Sequence, residues 1–90
     1  MKKYMRIHEK DNVAVMLYDA KPEDIVILGE LSVVLSEEIP YGHKVALQDL
    51  KKGDLIIKYN QPIGGARENI KRGEWVHVHN MSSLRGRSAG

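Results

Sequence analysis

The chain has 90 residues, a formal net charge of +2, no cysteine, and an apolar content of 42%. A chain this short forms one domain with one modest core, which leaves little material for a walled active-site cleft. The missing cysteines exclude disulfides and thiolate metal sites, the weak net charge does not favour nucleic acid, and no apolar run approaches the length of a membrane span. Together with the lack of a signal-peptide pattern, these features predict a cytoplasmic domain that is too small to be a complete enzyme by itself.

The first apolar segment, residues 13–17, is short and rich in valine. This composition is typical of a buried strand. We expect residues 6–8 to be its partner strand, with residues 9–12 as the turn, because Asp and Asn tolerate left-handed backbone.

A hairpin is predicted in the next part of the chain. Two apolar runs, residues 25–28 and 31–35, flank Gly29 and Glu30. A two-residue connection that begins with glycine indicates a type II′ turn. Helix patterns are poor, and the best candidate, residues 47–50, is one turn long.

The second half of the chain repeats a pattern in which an apolar residue is followed, three positions later, by a turn glycine. The pattern starts at positions 39, 50 and 70 and contains Gly42, Gly53 and Gly73. Glycine adopts positive φ readily, so each copy predicts a sharp turn before a new strand. The spacings of 11 and 20 residues are uneven, which argues against a repeat protein. The predicted fold is therefore mainly β and compact, with short strands and at most one or two helical turns.

Residues 82–90 are small, polar and basic. We expect a single domain over residues 1–80 and a flexible basic C-terminal tail over residues 81–90. The alternative is an arm that becomes ordered on a partner or an anionic ligand through Arg85 and Arg87.

Two histidines near the end of the domain form a His-x-His pattern. On a strand, His77 and His79 would share one face with Trp75, close enough to converge on one metal ion. Two ligands do not complete a metal site, so a third must come from elsewhere or from another chain. The alternative is a solvated strand face that carries two histidines by chance.

Two further segments carry candidate groups. His43 and Lys44 follow a turn glycine, where the imidazole could transfer a proton and the ammonium could bind a carboxylate. Lys58 and Tyr59 precede a glycine pair at Gly64, whose backbone amides could approach an anion, although the segment matches no nucleotide-binding loop. An ordinary surface loop and ordinary turn chemistry are the alternatives.

Four segments occur in the same order as in a known family: residues 7–15, 42–47, 57–64 and 77–80. In these segments the chain resembles the N-terminal domain of the altronate and galactarate dehydratase family, which is of the SAF type with a β-clip fold. The chain departs from the family at Glu9, where proline is common, and at residues 21–23, where a glycine-containing turn is common.

The resemblance implies a lyase that removes water from sugar acids to give 2-keto-3-deoxy acids, or a related two-subunit lyase that acts on sulfolactate. It implies a large catalytic partner, fused or separate, and a divalent metal, usually Fe²⁺, bound in the complete complex. We expect a stand-alone small subunit that contributes one wall of a composite site. His43 and Lys44 are its predicted catalytic residues, and His77 and His79 its predicted metal ligands. The predicted substrate-binding residues are Lys58, Tyr59, Gly64 and Asn80.

Two other functions stay open for the same domain. It could be a non-catalytic module that binds a sugar acid or polyol, or a structural subunit of a sulfolactate-type lyase. Neither a nucleic acid nor a membrane is expected as a partner, and homo-oligomerisation stays open.

Overall fold

The structure is a computed structural model that describes residues 2–83. Within this range the regular structure consists of strands alone, which confirms the predicted mainly-β fold of short strands. The nine strands are β1 (Tyr4–Met5), β2 (Val13–Met16), β3 (Ile25–Leu28), β4 (Leu31–Val34), β5 (Lys44–Ala46), β6 (Leu55–Lys58), β7 (Gln61–Ala66), β8 (Trp75–Val76) and β9 (Met81–Ser83). The described residues contain no helix that is long and apolar enough to cross a membrane.

The strands form three antiparallel sheets. The central sheet has the order β1-β2-β5-β8, and the other two have the orders β3-β4 and β6-β7-β9. Residues 47–50, the best helix candidate, form a bend that ends in a β-bridge between Leu50 and Ile70.

Strand β2 confirms the predicted buried strand, but the predicted partner at residues 6–8 is wrong. Its partner is β1, where Tyr4 pairs with Met16 and Met5 with Val15. Residues 8–11 close a tight turn in which the backbone N–H of Asp11 donates to the carbonyl of His8. This turn takes the chain out of the sheet, and it leaves Ile7 57% exposed.

The first hairpin, β3–β4, confirms the prediction at Gly29, which has a φ of 63°. The second hairpin, β6–β7, turns at Tyr59 and Asn60, whose φ angles are 57° and 60°. Two consecutive positive φ angles are typical of a type I′ turn, which suits the twist of a two-residue hairpin.

The three repeated glycines take positive φ as predicted, at 84° for Gly42, 95° for Gly53 and 94° for Gly73. Glu23 makes a fourth turn of the same kind, with a φ of 75°. The turns that begin after Ala20 and Ile39 flank the first hairpin, and those after Leu50 and Ile70 flank the second. We call each hairpin with its two flanking turns a hairpin unit. The first turn of the second unit comes 30 residues after that of the first unit (20 to 50), and the second turn comes 31 residues after its equivalent (39 to 70). The uneven spacing in the sequence therefore reflects a fourth turn that lacks glycine.

Two hydrophobic clusters fill the molecule, one beside each hairpin. The first contains Ala14 and Val45, and the second contains Val13 and Ala46. Because side chains alternate along a strand, β2 and β5 contribute to both clusters and join them through the central sheet.

The domain extends beyond the predicted boundary at residue 80. Strand β9 pairs with β7, with Met81 opposite Ala66 and Ser83 opposite Gly64. The prediction of a tail is therefore wrong for residues 81–83, which continue the sheet after the turn at Asn80. The rest of the predicted tail, including Arg85 and Arg87, lies outside the described residues.

Candidate functional site

Three of the four histidines lie around the single tryptophan. We call His43, Trp75, His77 and His79 the histidine cluster. The ring centroids of His43 and His77 are 4.4 Å apart, and Trp75 lies 5.5 Å from His77 and 5.2 Å from His79. Pairing of β5 with β8 builds the cluster, because it places residues near position 43 beside residues near position 75.

The backbone of the His-x-His segment differs from the prediction. Strand β8 ends at Val76, and residues 77–80 form a turn in which the N–H groups of Asn80 and Met81 both donate to the carbonyl of His77. The turn still places both imidazoles against Trp75, while Val78 is 67% exposed. The shared location was predicted correctly, and the strand that was expected to produce it was wrong.

Asn80 holds this turn closed. Its side chain is 4% exposed, its Oδ1 accepts the N–H of His77 at 2.9 Å, and its Nδ2 donates to the carbonyl of Trp75 at 2.7 Å. Both polar atoms are thus occupied by backbone groups. The predicted contact of Asn80 with substrate stays a prediction, and the structure adds a positioning role.

Lys44, the residue that follows His43, lines a cavity of about 580 Å³. We call it the lysine cavity, because Lys44 and Lys58 both line it. The remaining lining residues are Tyr59, Gln61, Pro62, Ile63, Met81 and Ser83. The Nζ atom of Lys58 lies 4.9 Å from the ring centroid of Tyr59, at the turn of the second hairpin. Three predicted site residues from two different sheets therefore meet at one opening.

Lys44 links the cavity to the histidine cluster electrostatically. Burial, followed by the positive charge of Lys58, lowers the pKa of Lys44. Burial, followed by the charges of His43, Lys44 and His79, lowers the pKa of His77. Two converging ammonium groups attract an anion, and a neutral imidazole can accept a proton or a metal.

Gly64 is placed differently from the prediction, which expected its amide to face an anion. It lies within β7, opposite Ile56 and Ser83, and a Cβ atom there would collide with the carbonyl of Ser82. Its lack of a side chain allows β9 to approach β7 closely. Substrate binding by Gly64 stays a prediction.

Sequence reasoning missed the residues that hold the second hairpin. Asp11 accepts the N–H of Asn60 at 2.7 Å, and the side chain of Asn12 bonds the carbonyl of Leu55 and the N–H of Ile57. The contacts span more than 40 positions. No local pattern indicates such contacts, so the two residues were assigned only to a turn.

Metal binding by His77 and His79 stays a prediction. Both imidazoles pack against Trp75, with ring centroids 5.5 Å (His77) and 5.2 Å (His79) from the centroid of its ring. Among residues 2–83, however, no group of three His, Cys, Asp or Glu side chains is arranged to hold a metal ion. A complete site would need ligands from another protein surface.

Comparison with known proteins identifies the family. Residues 2–84 match the altronate/galactarate dehydratase SAF domain. The chain belongs to this family. The SAF domain is 41% identical over 83 residues to altronate dehydratase of Bacillus subtilis, covering 92% of this chain, and 44% identical over 77 residues to altronate dehydratase of Escherichia coli, covering 86% of it.

The SAF domain accounts for a small part of these relatives. The match covers 17% of the Bacillus subtilis protein and 16% of the Escherichia coli protein, so this chain spans about a sixth of their length. A different proportion applies to the (2R)-sulfolactate sulfo-lyase subunit alpha of Paracoccus pantotrophus. It is 48% identical over 48 residues, covering 53% of this chain and 72% of that subunit.

Proposed function

We propose that this SAF domain is the small subunit of a sugar-acid dehydratase of the altronate or galactarate type, and that it works in the cytoplasm. It contributes one wall of a composite site and acts with a large catalytic partner. The observation that carries the proposal is that Lys44 lines the lysine cavity and that its charge also acts on His77 in the histidine cluster. His43 and His77 are half-buried and His79 is exposed, so these imidazoles can face a second protein surface.

The geometry suits the binding of a carboxylate. Lys44 and Lys58 line the same cavity, and burial, followed by the positive charge of Lys58, lowers the pKa of Lys44. An anion between two ammonium groups relieves their repulsion and forms charge-assisted hydrogen bonds. In this proposal the substrate carboxylate takes that place, with Tyr59 beside it.

The reaction removes a weakly acidic proton from the carbon next to the carboxylate. The enediolate that forms needs positive charge or hydrogen-bond donors, which Lys44 and Lys58 supply at the carboxylate oxygens. The base that takes this proton and the acid that protonates the departing hydroxyl are groups of the large partner, and the lowered pKa of His77 favours the neutral imidazole that a metal requires. His43 lies against His77 and can donate a hydrogen bond to a substrate oxygen.

A divalent metal, with Fe²⁺ as the first candidate, is proposed only for the complete complex. When bound, it would supply a Lewis acid for an oxygen of the substrate. This chain would contribute His77 and His79, and the large partner would contribute the remaining ligands. The described residues alone do not form a complete site.

A second candidate function is the small subunit of a sulfolactate-type lyase. The 72% coverage of the Paracoccus pantotrophus subunit supports it, because that relative is a subunit of comparable size. Both reactions start from a carboxylic acid with a hydroxyl group on the neighbouring carbon, and they differ in the group that leaves. The assay must therefore measure sulfite as well as keto acid.

The test is reconstitution with a large partner. A tagged chain is purified from its native host, and the bound large chain is then expressed separately. We expect neither chain alone to convert altronate or galactarate, and the mixture to form 2-keto-3-deoxy acid. Lys44→Met and Lys58→Met should each raise KM about tenfold, since a lost charged contact costs about 1.4 kcal/mol or more.

Lys51→Met is the matched control, because Lys51 is an exposed lysine on a turn outside the cavity. Release of sulfite from sulfolactate would select the second candidate. Binding of a sugar acid by the isolated chain without any turnover in the mixture would instead support a binding module and contradict the proposal.

A further inference from the structure

Trp75 has ring contacts with all three histidines of the cluster. Its indole Nε1–H donates to Nδ1 of His43 at 3.1 Å, and its ring stacks on His77 with an interplanar angle of 10°. It also lies against His79. In the sequence, Trp75 indicates only which strand face carries the two histidines, and the proposed function assigns it no role.

The backbone of Trp75 is held from two sides. Its N–H donates to the carboxylate of Glu37 at 2.8 Å, and its carbonyl accepts the side chain of Asn80 at 2.7 Å. It also pairs with Val45 in the central sheet. A residue fixed in this way can impose a geometry on the side chains it contacts.

The hydrogen bond to His43 determines where its proton lies. An indole N–H is a donor only, so Nδ1 of His43 must be the acceptor. A neutral imidazole whose Nδ1 accepts carries its proton on Nε2. The other ring nitrogen therefore points away from Trp75 as a donor.

We propose that Trp75 is a positioning residue that holds neutral His43 in the Nε2–H tautomer, so that His43 donates a hydrogen bond to the substrate. This inference rests on the proposed function for the role of His43, and on the Trp75 contact alone for its tautomer. A neutral imidazole that donates from Nε2 stabilises negative charge developing on an enediolate oxygen without giving up its proton. It cannot serve as the base from that nitrogen.

The two adjacent imidazoles, His43 and His77, have different roles. His43 is a donor to oxygen, whereas Trp75 holds His77 by stacking rather than by a hydrogen bond. Trp75 therefore holds both imidazoles in place. Its indole N–H occupies the lone pair on Nδ1 of His43, and it makes no such hydrogen bond to His77.

The tautomer can be measured on the isolated chain. Long-range ¹H–¹⁵N correlation spectra are recorded at about pH 8. We expect His43 to show an unprotonated Nδ1 and a protonated Nε2. A protonated Nδ1 would overturn the proposal whether or not the chain belongs to a dehydratase, and this result does not depend on any variant.

Trp75→Phe is the matched variant, because phenylalanine retains an aromatic ring against His77 and lacks the N–H donor. We expect a mixture of His43 tautomers in this variant, and in the reconstituted dehydratase a kcat lowered about tenfold with KM within twofold. Unchanged tautomers or an unchanged kcat would contradict the proposal. If His43→Ala had no effect on activity while the wild-type tautomer was as expected, the composite-site function would fail and the tautomer assignment would stand.

Discussion

Asp11 is a buried carboxylate whose two oxygens serve two different loops. One oxygen accepts the N–H of His8 and the other accepts the N–H of Asn60. Burial by itself would raise the pKa of Asp11, but hydrogen bonds from the backbone N–H groups, that of Asn60 first, lower it below its ordinary value. The ionised side chain therefore stabilises the folded protein, and it holds the turn that carries Tyr59.

We expect Asp11→Asn to lower the free energy of unfolding by about 1–3 kcal/mol at pH 7, because the amide group places an N–H where an acceptor is needed. Since the folded-state pKa is below the unfolded value of about 3.9, this contribution is present above that value and disappears as the pH falls through the folded pKa. Urea unfolding of both proteins at about pH 7, 5 and 3 measures the difference. Glu9→Gln, at an exposed neighbour, is the control, and a pH-independent difference would contradict the account.

The charge coupling in the lysine cavity makes a second prediction. The charge of Lys58 contributes to the lowered pKa of Lys44. Lys58→Met removes that charge, so the pKa of Lys44 should rise towards its ordinary value, while Lys51→Met should leave it unchanged. NMR titration of the lysine Cε resonances measures the shift. A pKa of Lys44 that fell or did not move in Lys58→Met would show that the two ammonium groups do not meet.

At the scale of elements, two turns show two different reasons for a glycine: a backbone with positive φ, and a lack of space for a Cβ atom. Gly53 and Gly73 have nearly equal φ angles, 95° and 94°. A Cβ at Gly53 would meet nothing within 4 Å, whereas one at Gly73 would collide with the carbonyl of Val34. The turn at Gly73 is therefore also a packing contact between the central sheet and the first hairpin.

We expect Gly53→Ala to cost about 1 kcal/mol for its left-handed backbone alone. Gly73→Ala should cost about 1–3 kcal/mol more, because overpacking adds to the same backbone strain. Chemical denaturation of the two variants gives the difference directly. Equal losses of stability would mean that Val34 moves aside and that the contact carries no energy.

Sequence patterns of a few residues predicted the turns and hairpins whose conformation depends on those residues alone. The hairpin at Gly29 and the turns at Gly42, Gly53 and Gly73 follow from backbone freedom, and all of them were predicted correctly. The resemblance to the family placed residues 21–23 in a turn, but this turn was not recognised as a fourth copy of the pattern because Glu23 occupies the positive-φ position. Strand β9 was missed because one methionine followed by two serines gives no strand pattern, and the strand forms by pairing with β7.

At the scale of the whole molecule, the two hydrophobic clusters share the strands of the central sheet. Ile39 and Ile70 are fully buried residues at equivalent positions of the two units, one in each cluster. Because β2 and β5 contribute to both clusters, neither half can lose its core without disturbing the other. The molecule should therefore unfold in one cooperative step.

Ile39→Val and Ile70→Val should each cost about 0.5–1.5 kcal/mol and keep a single transition. Trp75 fluorescence and far-ultraviolet circular dichroism should give coincident denaturation curves for both variants. If one variant showed two separate transitions, the clusters would be independent folding units.

The sequence indicated which residues belong to the candidate site, but it did not indicate how these residues are arranged in space. The motifs that resemble the family indicated His43, Lys44, Lys58, His77 and His79 as the chemistry-bearing side chains. Their convergence depends on the pairing of β5 with β8 and on the turn that Asn80 holds. These contacts join distant positions, so they could not be derived from spacing along the chain.

The central claim is that this small domain brings its own side chains to a composite active site. Its most direct test is the kcat/KM of the reconstituted dehydratase with His43→Ala, measured beside His8→Ala, a histidine outside the cluster. We expect His43→Ala to lower kcat/KM at least about tenfold, or about 1.4 kcal/mol, and His8→Ala to leave it unchanged. If His43→Ala stayed within about threefold of the wild type, a difference under about 0.7 kcal/mol, the composite-site account would be contradicted.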